Sequence, residues 1–380
     1  MTSVPGPESI DDLLARVHVV ALPMRVRFRG VTERELVLID GPAGWGEFGP
    51  FGEYHDREAA HWLASAIEMA WQGPPPPVRS RVAVNATVPA VSAGEVGAIL
   101  DRFPGCMTVK VKVAEKGQQL VDDVARVAAV LQARPGARVR VDANGAWSVA
   151  EAAHAVRVLD QAVRAADVSR TGPVSLDGPG LEYVEQPCAT VDELVELRER
   201  LAADGVHVDV AADESIRRAE DPLRVVRAGG ADRAVVKVAP LGGPRRLLAV
   251  AAELGVPVTV SSALDSAVGV AAGVAAAAAL PGVGAGGGPG AAGAGGGFRT
   301  AGVGAGGGPG ADDDEIPAAG LGTGGVFVED VVDPGVFALE DGHLPVRRVA
   351  PDPARLEELL IGGERRDWWL DRIRRCHAIL

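Results

Sequence analysis

Residues 108–113 read TVKVKV. A threonine and valines alternate with Lys110 and Lys112 at the two-residue period of a strand, so both ammonium groups leave the same face. What that face looks at is decided by the other apolar runs. They are RVRVDAN (138–144), LEYVEQP (181–187), VDVAADE (208–214), AVVKVAP (234–240) and PVTVSS (257–262). Alternating with amphipathic helical stretches, these six runs form the pattern of parallel βαβ units, which a barrel or a doubly wound sheet satisfies.

Each run ends in an ionisable group or a polar pair: Lys112, Asp142, Glu185, Asp213, Lys237, and Ser261 with Ser262. Helix capping does not account for them, because better caps follow. Ser148 with Glu151 and Thr190 with Glu193 spell capping boxes. Asp221 with Pro222 and Gly243 with Pro244 mark later helix starts. Steps of 30, 43, 28 and 24 residues separate Lys112, Asp142, Glu185, Asp213 and Lys237. Each step fits one βα unit, the longest containing a loop read at Ser169–Gly180, SRTGPVSLDGPG. In a parallel barrel the C-terminal strand ends share one mouth, so these groups become neighbours.

Three carboxylates from adjacent strands are hard oxygen donors suited to Mg²⁺, which would relieve their mutual repulsion. Lysines flank them from the second and the sixth strand, on opposite sides of the mouth. This arrangement suits removal of a proton α to a carboxylate, with the cation stabilising an enediolate and a lysine as base. Lys110 and Lys112 would then face the barrel interior, the charge of Lys110 depressing the pKa of Lys112.

Bulk properties agree with small-molecule chemistry. The chain has 380 residues, 47% of them hydrophobic, enough for a large core and two or three domains. Its formal net charge of -13 opposes attraction to nucleic acid or anionic membranes. Cys106, Cys188 and Cys376 are too scattered for a metal clip or a disulfide framework and suit a reducing cytoplasm. The N-terminus lacks the pattern of a secretory signal. Ser266–Leu280 is too short to span a bilayer core of ~30 Å and reads as a buried helix.

Residues 1–92 differ from the rest: extended stretches such as MRVRFRG and ELVLID, the turn-rich GPAGWGEFGPFGEY, and one helix over Arg57–Trp71. They read as a small α+β unit. In the tract 281–314, GVGAGGGPGA occurs at 282–291 and again at 302–311. Its composition predicts a disordered insertion, and it has none of the context of a phosphate-binding loop.

The Lys-x-Lys strand, followed by Asp, Glu and Asp on successive strands and then Lys, resembles the enolase superfamily. More narrowly, GWGEF (44–48), VNATVPAV (84–91), TVKVKVAEKGQ (108–118), EYVEQPCATVDEL (182–194), AADESIRRAEDPLRV (211–225), KVAPLGG (237–243) and LPVRRV (344–349) are similar to actinobacterial o-succinylbenzoate synthases. The resemblance implies an α/β fold: a modified TIM barrel, (β/α)7β, over residues 93–335, with an N-terminal α+β capping domain. Residues 336–380 would pack back toward the cap.

The implied reaction is a syn dehydration in menaquinone biosynthesis, from 2-succinyl-6-hydroxy-2,4-cyclohexadiene-1-carboxylate to o-succinylbenzoate. Lys112 would take the α-proton and return it to the departing hydroxyl. Asp142, Glu185 and Asp213 would hold Mg²⁺, Lys237 would stabilise the anion from across the ring, and Lys110 and Arg140 would set the electrostatics. Ser261, Ser262, Asn144 and Gly242 would contact the substrate, a small carboxylate. Arg27, Arg29 and the loop Gly46–Tyr54 would close over the succinyl tail. Gly49 and Gly52 depart from the bulkier residues expected in that loop, and the two insertions fall on the face opposite the mouth. The rival readings are an N-succinylamino acid racemase or related epimerase, which needs the same two lysines, and a catalytically silent binding barrel. Oligomeric state is not legible.

Overall fold

A computed structural model of the protein describes residues 6–28, 31–171, 180–217, 221–282 and 316–380. The glycine-rich repeats, Arg29 and most of the loop read at Ser169–Gly180 lie outside the described residues. Three strands form an antiparallel sheet: β1 (Val17–Phe28), β2 (Val31–Gly41) and β3 (Gly44–Phe48). The helix Asp56–Ile67 and the π-helical turn Glu68–Gln72 that continues it cover this sheet. Leu36, Val37, Leu38 and Ile39 are all fully buried in β2. The sheet therefore buries both faces at its centre, and its core, with Trp62, Phe48 and Leu22, also takes in Leu264 and Val268 from the barrel and Trp369 and Ile373 from the C-terminal helix.

The second unit is a parallel sheet. After β4 (Arg81–Ala83) come β5 (Ala86–Val88), β6 (Thr108–Lys112), β7 (Arg138–Asp142), β8 (Tyr183–Glu185), β9 (Asp209–Ala212), β10 (Arg233–Lys237) and β11 (Val258–Ser261). Strands β5 to β11 pair in chain order, each parallel to the next. Residues 318–320 close the cylinder. Gly320 N–H donates to Val260 O, Asn85 N–H to Ala319 O, and Ser262 N–H to Gly320 O. This last strand is too short and too rich in Ala and Gly to read from periodicity.

Because β5 pairs with β6, the barrel begins before residue 93, and a domain boundary at 92 is corrected: it would cut off the first barrel strand. At the other end, β12 (His343–Pro345) pairs antiparallel with β4. The C-terminal helix Gly363–His377 lies against the helix Asp56–Ile67 of the cap, where Arg372 donates to the carbonyls of Phe51 and Tyr54.

Helix starts follow local chemistry. Thr190 and Glu193 exchange hydrogen bonds across the first turn of Val191–Ala203, and Ser148 and Glu151 do so for Val149–Thr171. Gly243 and Pro244 start Pro244–Leu254, and Ser266 caps Ala267–Ala279. Two expectations are corrected. The helix Val149–Thr171 continues past Ser169, so the loop starts later. After Asp213 a short helix, Glu214–Arg217, begins at once instead of waiting for Asp221. Its stability comes from side-chain contacts to Asp213 and the cap, which no propensity reports. Among the described residues, no helix is long and apolar enough to cross a membrane.

Candidate active site

Register places the strand-end groups side by side. Lys112 is level with Asp142, Asp142 with Glu185, and Lys237 with Ser261. Immediately past these ends the backbone takes left-handed φ at non-glycine residues: Ala114 (60°), Asn144 (48°), Gln186 (38°) and Leu264 (64°). Such conformations cost of order 1–3 kcal/mol each and persist only where surrounding structure imposes them, as at functional sites. Gln186 shows how it is imposed here. Fully buried, its side-chain oxygen accepts from the N–H of Asp213 and of Ser215, which fixes the next strand's end.

The charged groups form one row. Lys112 Nζ is 2.5 Å from Asp142 Oδ2, and Lys110 Nζ lies 2.8 Å from that oxygen and 2.6 Å from Glu185 Oε1. Lys237 Nζ is 2.5 Å from Asp213 Oδ2. The two outer lysines thus take different carboxylates, at opposite ends of the row. Both oxygens of Asp213 are engaged, because Arg217 Nε donates to Oδ1 at 3.2 Å. Asn144 accepts from Lys112 Nζ at 2.8 Å.

Burial and pairing pull the row's pKa values apart. Burial pushes Glu185 up, the Asp142 charge adds to it, and the carboxyl settles at about 7. For Asp142, burial is overcome by Lys110 and Lys112, which hold it far below the ordinary range. Asp213 is lowered too, Lys237 and Arg217 outweighing its burial. Burial alone would lower Lys110, but Asp142 and Glu185 raise it well above a normal lysine. At Lys237 burial wins over Asp213, and the value falls.

Do these residues fit a divalent cation? Among the described residues no three acidic, His or Cys side chains stand as a closed cage, since ammonium groups come between the carboxylates. The donor set is nevertheless three buried carboxylates, and Glu185 Oε2 is buried without a hydrogen-bond partner. An orphaned carboxylate oxygen inside a protein is costly unless a cation takes it. The set fits a hard cation.

A pocket opens over the row. Its charged side carries Lys110, Lys112, Asp142, Asp213, Arg217 and Lys237, and its apolar side Phe51, Tyr54, Trp62, Leu264 and Val326. Asn144, Ser261 and Ser262 also line it, Ser262 Oγ being paired with Thr323 Oγ1 at 2.8 Å. The cap loop thus supplies Phe51 and Tyr54. The Arg27 side chain and the whole of Arg29 lie outside the described residues. Gly49 has a steric reason: a Cβ there would run into Leu36 Cδ2, whereas one at Gly52 would meet nothing within 4 Å.

Two expected site residues do not line the pocket. Arg140 lies one rung below Asp142, fully buried, donating to Glu182, Asn85 and the Ala318 carbonyl. Sharing a strand face put it under the pocket and not in it. Gly242 ends the short helix Val238–Leu241 with φ 95° and faces Arg246 and His61. Pro240 of that helix lines the pocket, whereas Gly242 does not. Tyr54 comes from the loop Gly46–Tyr54 expected to close over the site, whereas nothing in the sequence marks Glu214 or Thr323, and only the i,i+4 spacing of Asp213 and Arg217 hints at that pair.

Residues 19–70 match the family described as Enolase N-terminal domain-like, and residues 99–288 the one described as Enolase C-terminal domain-like. Muconate lactonizing enzyme from Pseudomonas putida superposes with a TM-score of 0.64 at 18% identity, covering 91% of this chain and 98% of that one. An N-succinyl Arg/Lys racemase from Bacillus cereus does so with 0.65 at 15%, covering 91% and 97%. At such identities these likenesses show the fold alone: a modified TIM barrel with an N-terminal capping domain. An o-succinylbenzoate synthase of Mycobacterium marinum is 53% identical over 377 residues, 99% of this chain and 98% of that protein. The chain belongs to the o-succinylbenzoate synthase family. The family's Mycobacterium tuberculosis member is likewise 53% identical, over 378 residues. As a dehydratase-type lyase of the enolase superfamily, an o-succinylbenzoate synthase implies a divalent metal.

Proposed function

We propose that the chain dehydrates 2-succinyl-6-hydroxy-2,4-cyclohexadiene-1-carboxylate to o-succinylbenzoate with Mg²⁺, as a step of menaquinone biosynthesis. Identity to o-succinylbenzoate synthases along nearly the whole chain carries this reading. The pocket chemistry supports it. Asp142, Glu185 and Asp213 would hold Mg²⁺, which when bound supplies a Lewis acid that withdraws charge from the substrate carboxylate.

The chain's own residues do the rest. Lys112 Nζ, oriented by Asn144 Oδ1, removes the α-proton and delivers it to the departing hydroxyl, so that water leaves on the same face and the electron pair completes the aromatic ring. Lys237, at the other end of the row, places its positive charge opposite and stabilises the anion. Lys110 stays charged between Asp142 and Glu185 and acts as a fixed countercharge. Ser261, Ser262 and Asn144 offer hydrogen bonds to the substrate's carboxylates, while Phe51, Tyr54, Trp62 and Leu264 exclude water around the ring and the succinyl methylenes.

The test is a coupled assay of o-succinylbenzoate formation on the wild type and on Lys112→Ala, with and without EDTA. Formation that vanishes in both controls, and returns when Mg²⁺ is restored to the wild type, is expected. Turnover that survives either control sinks the proposal. Solvent deuterium entering an N-succinylamino acid, with no water lost from the cyclohexadiene, would replace the dehydratase with a racemase.

A further inference from the structure

One polar chain crosses from the cap into the charged row. It starts at the Tyr54 hydroxyl, which accepts from Arg217 Nη1. The same guanidinium donates through Nε to Asp213 Oδ1 at 3.2 Å and through Nη2 to Glu214 Oε1 at 2.6 Å. Glu214 Oε1 also accepts from Asn144 Nδ2 at 3.3 Å, and Asn144 Oδ1 accepts from Lys112. Tyr54 and Arg217 are both buried.

Geometry gives this chain a task. Asp213 has one oxygen on Lys237 and the other on Arg217, so the two cations together fix the plane of its carboxylate. Lys237 is buried at the end of the barrel strand β10, with its ammonium on Asp213 Oδ2. Arg217 ends a four-residue helix, too short to be stable alone, and its planar fork is aimed only by what it binds. One of those partners, Tyr54, belongs to the other domain. We propose that Arg217 is a positioning residue through which the docked cap loop, by way of the Tyr54 hydroxyl, sets Asp213 for cation binding. The cap then completes the cation site as well as covering the substrate. This inference rests on the reading of Asp213 as a metal ligand.

The experiment titrates MgCl₂ into the full chain, without substrate, by calorimetry. Tyr54→Phe keeps the ring against Phe51 and Trp62 and removes only the hydroxyl. Loss of one hydrogen bond to a charged group should weaken Mg²⁺ binding about tenfold. In an Arg217→Met background the same substitution should change nothing further. Arg217→Lys, which keeps a cation but cannot span three partners, replaces that background should the methionine variant not fold. In turnover, the Tyr54→Phe deficit should be recovered by raised Mg²⁺, which a mere change in the pocket wall would not allow. Wild-type Mg²⁺ affinity in Tyr54→Phe, or an equal loss in both backgrounds, overturns the inference. Asp213→Asn separates the two readings. If it binds Mg²⁺ like the wild type, the metal assignment itself fails; if it loses Mg²⁺ while Tyr54→Phe does not, only the role of Arg217 fails.

Discussion

The Glu47 carboxylate, on β3 of the cap, caps a barrel helix at Ser266: it accepts from the Ser266 N–H at 3.1 Å, from the Ser266 hydroxyl, and from the Gly269 N–H at 3.2 Å. In the first turn of Ala267–Ala279 the other domain's Glu47 thus takes the Gly269 N–H, while Asp330 takes that of Ala267 and Ser266 Oγ that of Val268. Burial, and next the nearby Asp265 charge, raise Glu47 well above an ordinary carboxylate. Glu47 is thus one of the side chains that join the cap to the barrel, with Arg34 on the Leu264 carbonyl and Glu68 on Arg245.

Glu47→Ala should lower the unfolding free energy by about 2 kcal/mol, because buried donors lose their acceptor. Glu47→Gln keeps an acceptor oxygen and removes the charge near Asp265, so it should cost under about 1 kcal/mol at neutral pH. Urea denaturation of the three proteins compares them. An alanine variant as stable as the wild type would show that the domains are held elsewhere.

Asp330 accepts from the Ala267 and Val331 N–H groups, and burial raises it to about 6, from an ordinary 3.8. The folded state therefore holds this proton more tightly than the unfolded chain. Its contribution is complete below pH ~4 and is lost as pH rises through about 6, a change of up to about 3 kcal/mol. Subtracting the stability profile of Asp330→Asn from that of the wild type should isolate this fall. A flat difference between pH 4 and 7 would refute it.

Arg140 is fully buried and chelated by Glu182. Arg140→Met should destabilise by about 3–5 kcal/mol by leaving a buried charge unpaired, and adding Glu182→Met should restore much of it. Below the unfolding transition, turnover should stay within about tenfold of wild type, since the guanidinium does not line the pocket. A larger loss in the folded double variant would put Arg140 back into the chemistry.

Glu185 combines full burial with an oxygen lacking a partner. Glu185→Gln keeps an acceptor oxygen for Lys110, whose charge stays paired with Asp142, and should therefore cost the metal-free protein little. Saturating Mg²⁺ should raise wild-type stability, by about 2.7 kcal/mol at a hundred times Kd, and leave this variant unchanged. Thermal unfolding with Mg²⁺ and with EDTA reads both. An equal response in the two proteins would remove Glu185 from the ligand set.

Much of this was legible along the chain. Period-two apolar runs and helices whose caps are spelled by Ser148/Glu151 and Thr190/Glu193 give the βα repeat, because both signals are local. The runs' terminal residues mark the mouth because parallel strands in a barrel bring their C-terminal ends to one side. Residues 318–320 escaped notice because a strand made by closure has no periodicity of its own.

What the sequence by itself determined is the ladder of strands and the identity of the row Lys112, Asp142, Glu185, Asp213, Lys237. Only the tertiary structure decided level and environment. Arg140 and Asp142 share a strand face, yet lateral pairing buries one under the pocket and presents the other to it. Lys237 and Lys110 are the same residue type, yet burial lowers one while two carboxylates raise the other. The contacts of Tyr54 with Arg217 and of Glu47 with Ser266 join positions 163 and 219 residues apart. Such relationships are set by packing between elements, and a pattern with the period of a helix or a strand carries no record of them.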